Sequence, residues 1–283
     1  MPAASRTGPD VAIFTDLDGT FLDHTTYSFE AARPAYEDCR AAGVPVVFCS
    51  SKTRPEIEEL RRRLSASDPF IVENGGAAFI PREHFPFEFA ASGEIDHYLV
   101  IELGAKYRDL IATLDRLSGS LDVRIQAFHR MTPREIARHT GLSIAEAALA
   151  ARREYDEAFF CIDAEGGSIE SFLRAVEGSG LHWTRGGRFY HLVGHTGKAA
   201  AVRALSELYR RWNPRVATLG LGDSANDVSL LGAVDFPVVV KKPEGDYDAE
   251  VLRAIPNVGR SPFPGPRGWA ASVQAFLRER QPR

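Results

Sequence analysis

Two aspartates one residue apart, Asp16 and Asp18, follow the short apolar run Val11-Ala-Ile-Phe-Thr15 and precede Gly19-Thr20. A run of that length with β-branched residues reads as a buried strand. Carboxylates at the carboxyl end of such a strand lie where open α/β sheets place their ligands. Two of them side by side need something positive between them, and a divalent cation is the simplest choice. One carboxylate can then attack phosphorus while the other moves a proton. The chemistry implied is Mg2+-dependent phosphoryl transfer.

Further groups of useful type fall at the ends of other elements. Ser50 closes a second apolar run, Lys198 opens a helical pattern, and Asp223 and Asp227 bracket the turn after Val216–Leu221. A phosphate monoester is dianionic, so an anionic nucleophile needs cations to suppress the repulsion. Mg2+ prefers near-octahedral oxygen ligation, and Asp16, the main-chain carbonyl of Asp18, Asp223 and waters make a suitable set. Asp16 attacks to give an aspartyl-phosphate. Asp18 protonates the leaving alkoxide and then deprotonates the attacking water. The Ser50 hydroxyl and the Lys198 ammonium hold the transferring oxygens where charge develops. Each residue alone has a plainer use. Asp16, Ser50 or Ser51 could cap a helix, Lys198 could sit on the surface, and Asp223 or Asp227 could cap the helix that follows. The order and context of the whole set favour the chemical reading.

The elements that must position these groups alternate in a recognisable way. Strand signals at Val11–Thr15, Pro45–Cys49 and Phe70–Val72 are separated by helical patterns at Ser28–Ala42, closed by Gly43, and at Arg54–Leu64. Glu73-Asn74-Gly75-Gly76 then turns the chain into Ala77–Ile80. This βαβαβ succession predicts a doubly wound parallel sheet. From about Pro86 to His191 the pattern changes. Strand-like Tyr98–Glu102, Val123–Phe128, Phe159–Asp163 and Phe189–Leu192 alternate with helical Tyr107–Leu117, Pro133–His139, Ser143–Glu154 and Ser168–Glu177. The parallel-sheet pattern returns with Lys198–Trp212, Val216–Leu221, Ala225–Leu231, Pro237–Val240, Ala249–Ala254 and Ala270–Arg278. Three prolines and two glycines in Pro262–Gly268 argue for an irregular loop. The expected architecture is a discontinuous α/β core over 1–85 and 193–283 with an inserted α+β cap over 86–192.

Bulk properties exclude several classes. The 283 residues suit about two domains, and 44% hydrophobic with 25% charged residues is an ordinary globular composition. A net charge of -4 supplies no basic field for nucleic acid. No stretch approaches the ~20 apolar residues of a membrane span. Cys39, Cys49 and Cys161 lack metal-type spacing and read as free thiols. Met1 to Asp10 holds no apolar run of signal length, so the expected location is cytoplasmic, with no membrane partner.

The motif set resembles the haloacid dehalogenase superfamily of aspartate-nucleophile phosphatases. Asp16-Leu-Asp18-Gly-Thr matches the first motif, Ser50 the second, Lys198 the third, and Gly222-Asp223-Ser-Ala-Asn226-Asp227 the fourth. An insertion between the second and third motifs is where that superfamily carries its type IIB cap. The resemblance implies Asp16 as nucleophile, Asp18 as acid and base, Asp223 as a metal ligand, and Asn226 and Asp227 supporting the metal or Lys198.

A narrower resemblance, to the mannosyl-3-phosphoglycerate phosphatase subfamily, rests on Ser50-Ser-Lys-Thr-Arg54, Glu73-Asn-Gly-Gly76, Thr140-Gly-Leu-Ser143, Arg153-Glu-Tyr-Asp-Glu157, Gly186-Gly-Arg-Phe-Tyr-His-Leu192 and Phe263-Pro-Gly-Pro-Arg-Gly-Trp269. Ser50 stands where that subfamily has threonine, keeping the hydroxyl, and Ala225 where proline is common. The resemblance implies a small-molecule sugar-glycerate phosphate as substrate, with glucosyl-3-phosphoglycerate, sucrose-phosphate or another sugar phosphate as alternatives. A phosphomutase is disfavoured, because mutases carry a small helical cap after the first motif.

A substrate with a carboxylate, a phosphate and a polyhydroxy ring calls for cations and neutral hydrogen-bond partners. Ser51, Lys52 and Arg54 lie close to Ser50, and Arg188 on a cap strand could supply a further charge. Asn74 could bond substrate or order the catalytic loop. His191 is expected to be structural, and Arg153–Glu157 a salt-bridged helix end.

Overall fold

The computed structural model describes residues 8–162, 166–186, 189–195 and 197–280. Thirteen strands are present among them: β1 (Val11–Thr15), β2 (Val46–Cys49), β3 (Phe70–Val72), β4 (Ala77–Pro81), β5 (Gly93–Ile95), β6 (Tyr98–Glu102), β7 (Ile125–Ala127), β8 (Asp156–Cys161), β9 (His182–Gly186), β10 (Phe189–Val193), β11 (Ala217–Gly222), β12 (Phe236–Lys241) and β13 (Gly259–Pro264). They form a nine-stranded sheet, ordered β13-β12-β11-β1-β2-β3-β4-β6-β5, and a four-stranded sheet, ordered β7-β8-β10-β9.

From β13 through β3 the large sheet is parallel. The chain builds outward from β1 to β3, then later returns to lay β11 against the other side of β1. That reversal opens a crevice at the carboxyl ends of β1 and β11, where doubly wound sheets bind ligands. Both faces of the central strands are covered, so β1, β2, β3 and β11 are buried along their whole length. Val11 and Ile13 face one hydrophobic core, shared with helices Arg33–Ala41, Arg54–Leu64 and Gly265–Arg280. Ala12 and Phe14 face the other, shared with Lys198–Trp212 and Ala249–Ala254. Each fully buried Phe, Leu or Ile in these layers contributes roughly 1.5–3 kcal/mol. The second sheet is antiparallel. Phe159 and Leu192 pack with Leu110, Leu114, Phe172 and Val176 from helices Tyr107–Ser120 and Gly166–Gly178. No helix among the described residues is long and apolar enough to cross a membrane.

Several elements differ from the sequence expectation, each for a local reason. The first helix begins at Arg33 rather than Ser28, because Pro34 fits only the first turn. Tyr98–Glu102, expected in the insertion, pairs antiparallel with β4 in the large sheet. The helix expected over Ser143–Glu154 runs only from Ile144 to Ala150, starting at the Ser143–Glu146 capping box. Asp156 and Glu157 therefore open a strand rather than end a helix. Asp163 and Arg188 lie outside the described residues. The proline-rich tail is not an irregular loop. Gly259–Pro264 is the edge strand of the sheet, where the missing N–H of proline is tolerated, and Pro266 lies in the first turn of the final helix.

Candidate active site

β1 delivers Asp16 to the crevice, and the Asp16 N–H donates to the Leu221 carbonyl at 2.9 Å, tying the first loop to the end of β11. The loop then folds back on itself, with Leu22 N–H donating to Leu17 O at 2.8 Å, while buried Leu17 and Phe21 anchor it in the core. Gly19 has φ +80°, and a Cβ there would stand 2.5 Å from Asp223 Oδ2. Only glycine lets the two loops approach this closely.

Lys198, the first residue of its helix, is 1% exposed, and its Nζ donates to Asp16 Oδ1 at 2.7 Å and Asp227 Oδ1 at 2.6 Å. Burial pulls the ammonium's pKa down, but the charges of Asp16 and Asp227 push it well above its ordinary value. Asp227 Oδ2 accepts from the Asp223 and Ser224 N–H groups at 3.0 and 3.3 Å. Both Asp227 oxygens are thereby occupied, and this carboxylate positions Lys198 and the fourth-motif loop.

Asp16, Asp223 and Asp227 bring ligand atoms within 4.8 Å of one another. Burial, then the negative charge of Asp227, drives the Asp16 carboxyl well above the usual carboxylate range despite Lys198. The same two causes push Asp223 up to about 7. Asp223 Oδ1 is buried without a hydrogen-bond partner among the described residues. Crowded carboxylates with an orphaned buried oxygen fit an oxygen-preferring divalent cation. Asp16 and Asp223 have oxygens to offer it. The Asp18 carboxylate stands outside this group, with Oδ2 on Lys52 Nζ at 3.0 Å and Oδ1 buried and unpartnered.

Ser50 ends β2 and is 1% exposed. Its Oγ accepts from Lys52 N–H at 3.2 Å, so its own proton is available to a phosphoryl oxygen. Neither Ser50 nor Ser51 caps the next helix, because Thr53 does so in a capping box with Glu56.

A cleft of about 740 Å³ opens above these groups, lined on the core side by Asp16, Asp18, Lys52 and Asp223. Ser51, Tyr27, Asn226 and Lys242 also line it. The facing wall carries Phe128, Thr140, Leu142, Arg153, Phe189 and His191 from the inserted segment. Arg54 does not line it; its guanidinium pairs with Glu58, Asp96 and Glu154 at 3.2, 3.0 and 3.3 Å. Asn74 lies beneath the cleft, donating its N–H to Ser50 O at 2.9 Å and its side-chain amide to Asp156 Oδ2 at 2.7 Å. Asn226 Oδ1 accepts from the Ser224 hydroxyl at 2.7 Å.

A buried network that motif spacing does not show joins the core to the inserted segment. Glu73 accepts from the Glu154 and Tyr155 N–H groups at 3.0 and 2.7 Å, and Arg153 donates to Ser51 O at 3.0 Å. Arg153 does pair with Asp156, at 3.0 Å, yet it also lines the cleft, as does His191. The Arg153–Glu157 motif includes Asp156, but nothing local shows its contact with Asn74, which spans 82 residues.

Comparison with known proteins bears on this geometry. A family model described as haloacid dehalogenase-like hydrolase matches residues 13–97. A glucosyl-3-phosphoglycerate/mannosyl-3-phosphoglycerate phosphatase of Methanococcoides burtonii is 42% identical over 265 residues, covering 94% of this chain and 96% of the relative. A mannosyl-3-phosphoglycerate phosphatase of Pyrococcus furiosus is 36% identical over 251 residues, covering 87% and 97%. The solved structure of a subclass IIB sugar phosphatase of the haloacid dehalogenase superfamily superposes with a TM-score of 0.63 at 16% identity, covering 95% of this chain and 98% of that one.

Proposed function

This chain belongs to the haloacid dehalogenase-like hydrolases and is a phosphoric monoester hydrolase, and from that premise we propose that it hydrolyses mannosyl-3-phosphoglycerate to mannosylglycerate and phosphate. Glucosyl-3-phosphoglycerate is included as a second substrate, because the 42% identical relative bears both names. The observation that carries the reading is Asp16, a buried carboxylate on the cleft wall with one oxygen on Lys198.

In the proposed mechanism an Asp16 oxygen attacks phosphorus, and the bond from phosphorus to the glycerate oxygen breaks. Asp18 gives its proton to that leaving oxygen. It then takes a proton from water, whose oxygen attacks the same phosphorus and breaks the bond to Asp16, releasing phosphate. Lys198 and Ser50 hold the transferring oxygens throughout. Asp16, the Asp18 main-chain carbonyl and Asp223 would hold Mg2+, which supplies positive charge against the dianionic phosphoryl group. Asp227 keeps Lys198 in place, and Asn226 braces the same loop. The core over 1–85 and 193–283, whose sheet also takes in β5 and β6, carries this chemistry, and the rest of the 86–192 insertion acts as the cap that selects substrate and excludes water.

The test is kcat/KM across a panel of glycosyl-3-phosphoglycerates, sucrose-phosphate and hexose phosphates, with phosphate measured against substrate consumed. The proposal expects stoichiometric phosphate and a preference of tenfold or more, roughly the difference one charged contact makes, for the sugar-glycerates. A preference for hexose phosphates would overturn the substrate, and an isomerised sugar phosphate would overturn hydrolysis.

A further inference from the structure

The cleft-facing surface of the four-stranded sheet carries one imidazole held by a buried carboxylate. In the β8–β10 register Ala158 faces His191 and Asp156 faces Val193, which makes Asp156 and His191 diagonal neighbours on one face. His191 Nδ1 lies 3.0 Å from each Asp156 oxygen. A carboxylate only accepts there, so the proton sits on Nδ1 and Nε2 is turned away from Asp156. Among the described residues Nε2 has no protein partner.

Asp156 is fully buried and is itself held from three directions. Arg153 Nη2 lies 3.0 Å from Oδ1, Asn74 Nδ2 donates to Oδ2 at 2.7 Å, and His191 completes the set. Burial works against its charge, yet Arg153, His191 and Asn74 outweigh it and keep the carboxyl below its usual range. Asn74 belongs to a core loop in which two successive non-glycine residues, Glu73 and Asn74, have φ of 48° and 58°. Strained backbone of this kind persists where its surroundings over-determine it, as happens at ligand sites. The strain sets the Asn74 amide against a carboxylate of the insertion, while its N–H stays on Ser50 O.

We propose that His191 is the residue through which the cap recognises the hydroxylated body of the substrate, its Nε2 hydrogen-bonding a sugar hydroxyl, with Asp156 and Asn74 as positioning residues. A hydroxyl both donates and accepts, so it satisfies Nε2 in either protonation state. The neighbouring wall is chemically suited to a sugar ring. Phe128 and Phe189 meet edge to face at 5.3 Å between centroids, and Thr140 adds a hydroxyl. The cations that suit the phosphate and carboxylate, Lys198 and Lys52, lie on the core side instead.

This inference rests on the sugar-phosphate reading above, and the test separates the two. Wild type is first run on the panel, with p-nitrophenyl phosphate as a monoester lacking hydroxyls. His191→Ala, His191→Gln and Asp156→Asn are then compared by the ratio of kcat/KM for the best sugar substrate to that for p-nitrophenyl phosphate. His191→Ala is expected to lower the ratio about tenfold, the scale of one hydrogen bond, chiefly through KM of the sugar substrate. Gln, whose amide reaches the Nε2 position, recovers part of the loss. Asp156→Asn lowers the ratio in the same direction. Turnover of p-nitrophenyl phosphate by each variant reports that it has folded. A ratio unchanged by His191→Ala overturns the inference, as does a Gln variant no better than Ala. If wild type prefers a hexose phosphate, the sugar-glycerate assignment fails, and the His191 inference is decided on that hexose phosphate by the same ratio. If wild type favours p-nitrophenyl phosphate over every sugar phosphate, both fail.

Discussion

The indole N–H of Trp269 donates to the Thr15 hydroxyl at 3.0 Å, across 254 residues of chain, and that hydroxyl donates at 2.7 Å to the main-chain carbonyl of Asp16. The last helix therefore braces the backbone of the proposed nucleophile from behind. Trp269 also meets Phe21 edge to face at 4.9 Å, so it grips both ends of the first-motif loop. Trp269→Phe keeps most of the apolar burial and deletes the donor. It is expected to cost about 1–3 kcal/mol of stability, the penalty of an unpaired buried polar group, and to lower kcat with KM little changed. Urea unfolding and steady-state kinetics on the same preparation check both halves.

Asp16→Asn removes the attacking oxygen without removing volume. Phosphate release should fall by roughly three orders of magnitude or more, with circular dichroism and unfolding midpoint close to wild type. Near-normal turnover by this variant would refute the nucleophile. Chelation of divalent cations should abolish wild-type turnover, and Mg2+ should restore it and raise the apparent Tm through binding to the folded state. Asp223→Asn should need markedly more Mg2+ for the same thermal shift.

Lys198 neutralises two buried carboxylates at once. Lys198→Met leaves Asp16 and Asp227 facing one another uncompensated, and the expected loss is about 3–5 kcal/mol of stability. Adding Asp227→Asn relieves part of that repulsion, so the double variant should lose less than the sum of the single changes. Strict additivity in a denaturant-unfolding cycle would remove the coupling.

Burial, reinforced by Asp156, pushes the Glu73 carboxyl up to about 8 from an ordinary 4.5, with Arg153 and the Glu154 and Tyr155 N–H groups opposing. The folded protein thus retains a proton that the unfolded chain releases near 4.5. The associated stability is full below about 4.5 and is lost as pH rises through about 8. Glu73→Gln, neutral at every pH, should lack this fall. Tm measured at intervals across that range for both proteins decides it, and parallel curves would count against the shift.

Legibility varied with the range of the interaction. The strand Val11–Thr15 and the helix Lys198–Trp212 were plain because apolar period and end signals are local. The segment Pro262–Gly268, expected as an irregular loop, instead ends the edge strand Gly259–Pro264 and starts the last helix, because its prolines are tolerable at a sheet edge and in a first helical turn, which is a tertiary fact. Lys198 was ambiguous alone as a surface lysine, and burial between two carboxylates resolved it. His191 was expected to be structural, and its position on the cleft wall came into view only with the β8–β10 register. Arg54, expected to offer charge to a substrate, was already surrounded by carboxylates.

By itself the sequence determined the alternation of strands and helices and set the carboxylates, hydroxyl and lysine of the proposed site at the ends of those elements, because each is written in residues near one another in the chain. The tertiary structure decided which side chains meet: Trp269 under Thr15, Asn74 on Asp156, and Asp156 on His191. Such contacts depend on how layers pack and strands register, and neither periodicity nor motif spacing encodes a partner 82 or 254 residues away.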